Sequence, residues 1–171
     1  MSSFKDRIIR AAKLDVSLYE EVEADKTAMG QAMGIVVLSG VAAGIGTITR
    51  GGFVGIITGT LGAIVGWYIW AFLTYWIGTR LLPEPQTEAD LGQLLRTIGF
   101  SSSPGLLRIF GIIPRIGWSI SFAASIWMLI AMVIAVRQAL DYKSTGRAVG
   151  VCAIGWVIQS LILFGITLLV R

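Results

Sequence analysis

Apolar and polar positions alternate along this chain in long blocks rather than in short helical periods. Residues 28–48 carry no charge, and neither do residues 53–79, 117–136 or 148–170. A helix needs about 20 predominantly apolar residues to cross a bilayer. Each of these four blocks therefore predicts a transmembrane helix. A fifth apolar stretch, residues 104–117, is bracketed by Pro104 and Pro114 and interrupted by Arg108. It predicts a short third span or a re-entrant segment. The fold expected is an all-α polytopic transmembrane bundle of about five spans, over residues 28–171.

The polar segments carry their own helix signals. Residues 3–24 form an amphipathic pattern in which Phe4, Ile8 and Ala12 recur at i+4 while Lys5, Arg7, Arg10 and Lys13 are basic. Ser3 with Asp6 fits a capping box, and Asp15 marks a break. Such a helix suits an anionic membrane face or docking on the bundle, so residues 1–27 are expected to form a cytoplasmic arm. Arg50-Gly51-Gly52 makes a very short turn. After the second span, Pro83 and Pro85 stop the helix, and Thr87 with Asp90 suggests another capping box. This box opens a short interfacial helix through about Ile98, with Gly99 as its C-terminal cap.

Within the second span, Gly55, Gly59, Gly62 and Gly66 fall on one face. Glycine is costly inside a helix, so four on one stripe require a reason. Close helix packing is the first, because small residues let membrane helices approach each other. A groove or pore wall is the second. Arg108 carries a similar question, since an arginine in a membrane helix costs roughly 2.5–3.5 kcal/mol at the centre unless it snorkels or pairs.

Composition narrows the class further. Of 171 residues, 55% are hydrophobic and only 14% charged, against roughly 25% charged in soluble domains. Lipid must cover much of such a surface. The chain has no histidine and a single cysteine, Cys152, which excludes an intramolecular disulfide and an ordinary zinc or histidine-ligated haem site. Neither a phosphate-binding loop nor a dinucleotide fingerprint is present. Glu84, Glu88 and Asp90 fit helix capping better than acid–base chemistry, and Ser101-Ser102-Ser103 reads as a turn opening a helix. No cofactor, no nucleic-acid partner and no enzymatic activity are expected.

Orientation follows from the basic residues. With five crossings and the N-terminus inside, Lys5, Arg7, Arg10, Lys13, Lys26, Arg80, Arg96, Arg137, Lys143 and Arg147 are cytoplasmic, whereas Arg50, Arg115 and Arg171 are outside. That asymmetry satisfies the positive-inside rule. A re-entrant third segment changes the balance little, and the N-terminus stays inside.

From Leu94 to Trp156 the chain resembles the Yip (Ypt-interacting protein) family of five-span membrane proteins. The carriers are LLRTIGFSSSP, LLRIFGIIPRIG, the span with Trp127, AVRQAL and GRAVG. Gly99-Phe100-xxx-Pro104 is similar to the family's Gly-Tyr-xxx-Pro motif, and Pro114 with Gly117 sits where relatives carry similar residues. Leu14-Asp15 through Leu18-Tyr19-Glu20-Glu21 to Asp25 resembles the arm of prokaryotic members.

The resemblance implies five packed helices, a cytoplasmic N-terminus and a bacterial or archaeal cell membrane. In eukaryotic relatives it implies binding of Rab-type small GTPases, but the Asp-Leu-Tyr-Gly-Pro-type motif of their arm is missing here. The leading expectation is a membrane scaffold acting through protein or lipid contacts, with Gly99, Phe100, Pro104, Arg108 and Pro114 at a structural pivot. Other readings are a small anion channel lined by the glycine stripe and Arg108, an accessory subunit of a larger complex, and a homo-oligomer.

Overall fold

The computed structural model describes residues 3–169, with the side chains of residues 3–161. Two short helices come first, α1 (Phe4–Ala12) and α2 (Val16–Ala24). Ser3 Oγ accepts the Asp6 N–H at 3.2 Å, which is the forward half of the expected capping box. The break falls where Leu14 adopts φ 63° and Asp15 then caps α2 by accepting the Ser17 N–H at 3.0 Å. These ends satisfy amide groups that a helix leaves without intrahelical partners.

The long helices follow: α3 (Met29–Gly46), α4 (Ile48–Trp76), α5 (Leu91–Ser101), α6 (Gly117–Ala139) and α7 (Thr145–Leu169). The expected turn at Arg50-Gly51-Gly52 is present as a break within α4, where Gly52 takes φ 58° and ψ −162°. That region of backbone space is essentially closed to residues with a β-carbon. Among the described residues, three helical stretches are long and apolar enough to cross a membrane: Lys26–Gly46, Ile48–Leu81 and Gly117–Ala139.

Several local expectations need correction. The box at residues 87–90 lies three residues later: Asp90 accepts the Gln93 N–H at 2.9 Å, and Gln93 Oε1 accepts the Asp90 N–H at 2.6 Å. Gly99 is not a cap, because α5 continues to Ser101 and Ser102 closes it. Nor does α5 lie flat on an interface with one face open, since every residue from Leu94 to Ser101 is buried. The stretch expected over 104–117 is a 3-10 helix, Ser103–Ile112, that directly continues α5. Pro104 explains the junction: it lacks an N–H and sits comfortably in the first turn of the new helix.

Close contacts define the path. Gly44 faces Ile56 and Gly40 faces Thr60, so α3 and α4 run antiparallel. The broken helix formed by α5 and the 3-10 segment runs parallel to α3, with Gly99 on Ala32, Gly105 on Ser39 and Gly111 on Gly46. Beside it α6 returns, placing Ser121 near Gly111 and Met128 near Gly105. α7 then runs back along α4, with Gly150 by Leu82 and Gly155 by Trp70. The chain thus traverses the bundle five times in alternating directions.

The seam between α3 and the broken helix has matched steps. Seven residues of α-helix rise about 10.5 Å. Six residues of mixed α and 3-10 helix rise about the same, and six of pure 3-10 helix about 12 Å. Contacts spaced seven apart on one side (Ala32, Ser39, Gly46) therefore meet contacts spaced six apart on the other (Gly99, Gly105, Gly111). A β-carbon built on Gly99 would sit 2.7 Å from the Ala32 Cβ and 3.1 Å from its carbonyl oxygen, whereas one on Gly59 meets nothing within 4 Å.

Gly99→Ala is accordingly expected to lower stability by about 1–3 kcal/mol through overpacking. Gly59→Ala is expected to leave the isolated chain unchanged or more stable by up to about 1 kcal/mol. Thermal melting of the two variants in the same detergent checks the contrast, and equal loss in both would contradict it.

Candidate functional site

Two features gather chemistry: the arm at one end of the bundle and a cavity within it. The arm is held by a guanidinium network. Arg7, 4% exposed, donates from Nε to Glu21 Oε1 (3.0 Å), from Nη1 to Gln31 Oε1 (3.0 Å) and from Nη2 to Asp25 Oδ2 (2.8 Å). Arg10 donates to Asp15 Oδ2 (2.8 Å), Glu21 Oε2 (2.6 Å) and Ser17 Oγ (3.0 Å). Glu21 therefore bridges both arginines and ties α1 to α2. Planar, multi-donor arginine suits this better than lysine, whose ammonium is a point charge.

A third arginine joins arm to bundle. Arg96 on α5 is buried and donates to the carbonyl oxygens of Val22 (2.9 Å) and Glu23, at the C-terminal turn of α2. A cation there satisfies orphan carbonyls and favours the negative end of the helix dipole. Gln138 on α6 adds a bond to Glu20 (2.9 Å), and Gln93 one to Glu23 (3.1 Å). Beneath these polar ties, Leu18, Tyr19 and Val22 are fully buried in one cluster with Ile35, Phe100 and Ala135. The opposite side of the arm is open: Ile9 and Val16 are exposed, as are Lys5 and Lys13, while the partly exposed Phe4 ring lies beside Gly34 of α3.

Among the expected pivot residues, the structure brings Gly99, Phe100 and Pro104 together at the change from α to 3-10 helix. Phe100 fills the arm cluster, and the hydroxyls of Ser101 and Ser103 donate to the carbonyls of Ile98 and Phe100 (2.7 Å each) beside the break. Arg108 lies two turns further on, donating to Ser125 Oγ on α6 at 2.8 Å. Pro114 is separate and exposed in the turn before α6. Glu84 pairs with Arg147 at 3.3 Å and accepts the Lys143 N–H just ahead of α7. Tyr142 ties the same region to the end of α4, its hydroxyl donating to the carbonyls of Gly78 (3.0 Å) and Leu82 (2.7 Å). The partners of Arg7 and Arg96 were missed in the sequence because they lie on other helices. The buried residues of α1 are Arg7 and Ala11, with Ile8 half-buried against the arm cluster.

A cavity of about 710 Å³ opens between α3, α4, the 3-10 helix, α6 and α7. Gly55, Gly59 and Gly66 form part of one wall, and Arg108 reaches it from the other side. The close packing expected at the four-glycine stripe is not made among the described residues, since β-carbons at Gly55, Gly59, Gly62 and Gly66 would meet no atom of theirs within 4 Å. Among the described residues, no cluster of cysteine, aspartate and glutamate gathers that could hold a metal ion.

An all-helical bundle with three helices apolar and long enough to cross a membrane among the described residues, and a polar arm docked on one end, fits an integral membrane protein. The Yip1 domain model matches residues 22–167, most of the chain, and the protein belongs to that family. No curated protein and no solved structure gives a significant match.

The arm carries opposed titrations. Burial pushes the Glu23 carboxyl up to about 7, with Asp141, Glu20 and Asp90 adding to the rise and Arg96 opposing it. Hydrogen bonds from Thr27 and then Arg7 hold Asp25 at about 2. Glu23 thus favours the docked arm when protonated, and that contribution is lost as pH rises through about 7. Asp25 favours docking when ionised, and its contribution is lost as pH falls from about 4 towards 2. Thermal stability in detergent is expected to decline between about pH 5 and pH 8, and Glu23→Gln to flatten that decline. A decline of the same slope in the variant would remove Glu23 as its source.

Proposed function

We propose that this Yip1-family protein is a non-enzymatic membrane scaffold that crosses the bilayer five times with its N-terminus in the cytoplasm. In this reading, the α1–α2 arm is a preorganised platform at the cytoplasmic surface, working on the anionic bilayer face and on neighbouring membrane proteins. The five alternating passes of the bundle support the crossing number, together with the concentration of basic residues at the arm's end. The catalytic reading has no support, because the arm's polar side chains are engaged with one another rather than converging on a reacting centre.

One observation carries the proposal. The ion network and Arg96 fix the arm so that Ile9 and Val16, flanked by Lys5 and Lys13, stay exposed, while the Phe4 ring lies beside Gly34 of α3. Apolar side chains beside lysines suit the headgroup–acyl boundary of an anionic leaflet: the apolar groups enter and the ammoniums meet phosphate. The arm's fixed pose means this contact does not have to order a free chain.

Deleting the arm is a poor test, since it strips Leu18, Tyr19 and Val22 from a core shared with Phe100. A spin label on Ile9→Cys in anionic proteoliposomes is sharper. Collisions of the label with oxygen are expected to exceed those with a water-soluble nickel complex, and Lys5→Glu with Lys13→Glu to reverse the ratio. A label that collides mainly with the nickel complex in the parent protein would overturn the membrane-facing role of the arm.

A further inference from the structure

The cavity has no part in that role, and its lining combines features that a well-packed helix bundle lacks. It holds about 710 Å³, inside the roughly 300–1,000 Å³ span of pockets that take a small molecule. Most of the exposed lining is apolar, with Ile126, Met128 and Leu129 from α6 facing the bare glycine wall of α4. Contacts among the described residues leave that wall unexplained, because β-carbons at Gly55, Gly59 and Gly66 would meet no atom within 4 Å. From Gly55 to Gly66 the stripe runs about 16 Å, close to one leaflet of a hydrocarbon core of about 30 Å.

Arg108 supplies the polar end. Its guanidinium has five N–H donors, of which one is engaged by Ser125 Oγ. No carboxylate pairs with it among the described residues. A cation in largely apolar surroundings calls for an anion. At the far end the cavity reaches Trp70, which is 7% exposed and whose indole Nε1–H has no hydrogen-bond partner among the described residues.

We propose that this cavity is a binding site for an anionic phospholipid. The phosphate sits on Arg108, and one acyl chain lies along Gly55, Gly59 and Gly66 towards Trp70. A free inorganic anion would match Arg108 alone and leave the apolar length of the cavity unused. A phospholipid matches both parts, because its charge and its chain occupy the two environments in order.

The test is native mass spectrometry of the full-length, delipidated protein titrated with phosphatidylglycerol, with phosphatidylcholine of the same chains, and with inorganic phosphate. The parent protein is expected to bind phosphatidylglycerol about tenfold more tightly than phosphatidylcholine, the scale of a charge-assisted contact. Arg108→Gln is expected to erase that preference and Arg108→Lys to keep most of it. Gly59→Leu puts a side chain into the cavity at a position where a β-carbon meets no atom within 4 Å among the described residues, and is expected to weaken binding of both lipids. It carries the test alone should Arg108→Gln fail to fold. Equal affinity for the two lipids in the parent, or lipid binding untouched by Gly59→Leu, would overturn the proposal. Displacement of phosphatidylglycerol by inorganic phosphate would replace the lipid with a free anion. A dimer that Gly59→Leu dissociates, with lipid binding unchanged, would make the stripe a contact between copies of the chain.

Discussion

The close seam between α3 and the broken helix fixes where everything else can go. Three small-residue contacts, Ala32 with Gly99, Ser39 with Gly105 and Gly46 with Gly111, hold two backbones together over most of the bundle's length. In lipid there is little hydrophobic drive to bring helices together, so such close packing must supply the attraction. Between two regular α-helices these spacings drift apart, because the twelve residues from Gly99 to Gly111 would rise about 18 Å against about 21 Å for the fourteen beside them on α3. The change to 3-10 geometry at Ser102 and Pro104 narrows that mismatch to about half. Pitch, proline and glycine spacing are thus one constraint rather than three features.

From that seam the two functional regions diverge. Before the break, α5 presents Arg96 and Phe100 to the arm, one to its carbonyls and the other to its apolar underside. After the break, the 3-10 helix turns Arg108 towards α6 and the cavity. The charged residues divide accordingly. Arg7, Arg10, Asp15, Glu21 and Asp25 assemble into a shared network, where each charge has a counter-charge and several hydrogen bonds. Arg108 stands away from it with a single serine. A guanidinium engaged with several partners ties helices together, whereas Arg108 keeps donors open for an anion.

Much of this architecture was legible in the sequence. Charge-free blocks of bilayer length marked the long helices, and Gly51-Gly52 between two such blocks could only be a tight turn. Asp15 marked the break in the arm because aspartate caps helices readily. The Gly99-Phe100-xxx-Pro104 motif pointed to the family and to the place where helix geometry changes. What stayed hidden shares a cause. Gly99, Gly105 and Gly111 recur every six residues, which matches no face of a regular α-helix, so their common seam left no periodic signal. By contrast, Gly55, Gly59, Gly62 and Gly66 recur at helical spacing and drew attention, yet β-carbons there would meet no atom within 4 Å among the described residues. The periodicity of α1 marks Phe4, Ile8 and Ala12 and gives no sign that Arg7 is buried, because the acids that hold it lie on α2 and at its end.

The burial of Arg7 bears on why the open surfaces lie where they do. Turning Arg7 inward leaves Ile9 and the two lysines outward, so the ion network is also the device that gives the arm an amphipathic exterior. The same logic applies to α4. One side of that helix is committed to α3 through Gly40 and Gly44, where small residues on α3 let the α4 backbone approach. With closeness secured from the α3 side, the glycines of α4 are not needed for that contact. Because they weaken an isolated helix by about 1 kcal/mol each, their presence argues for a demand outside the contacts this chain makes with itself.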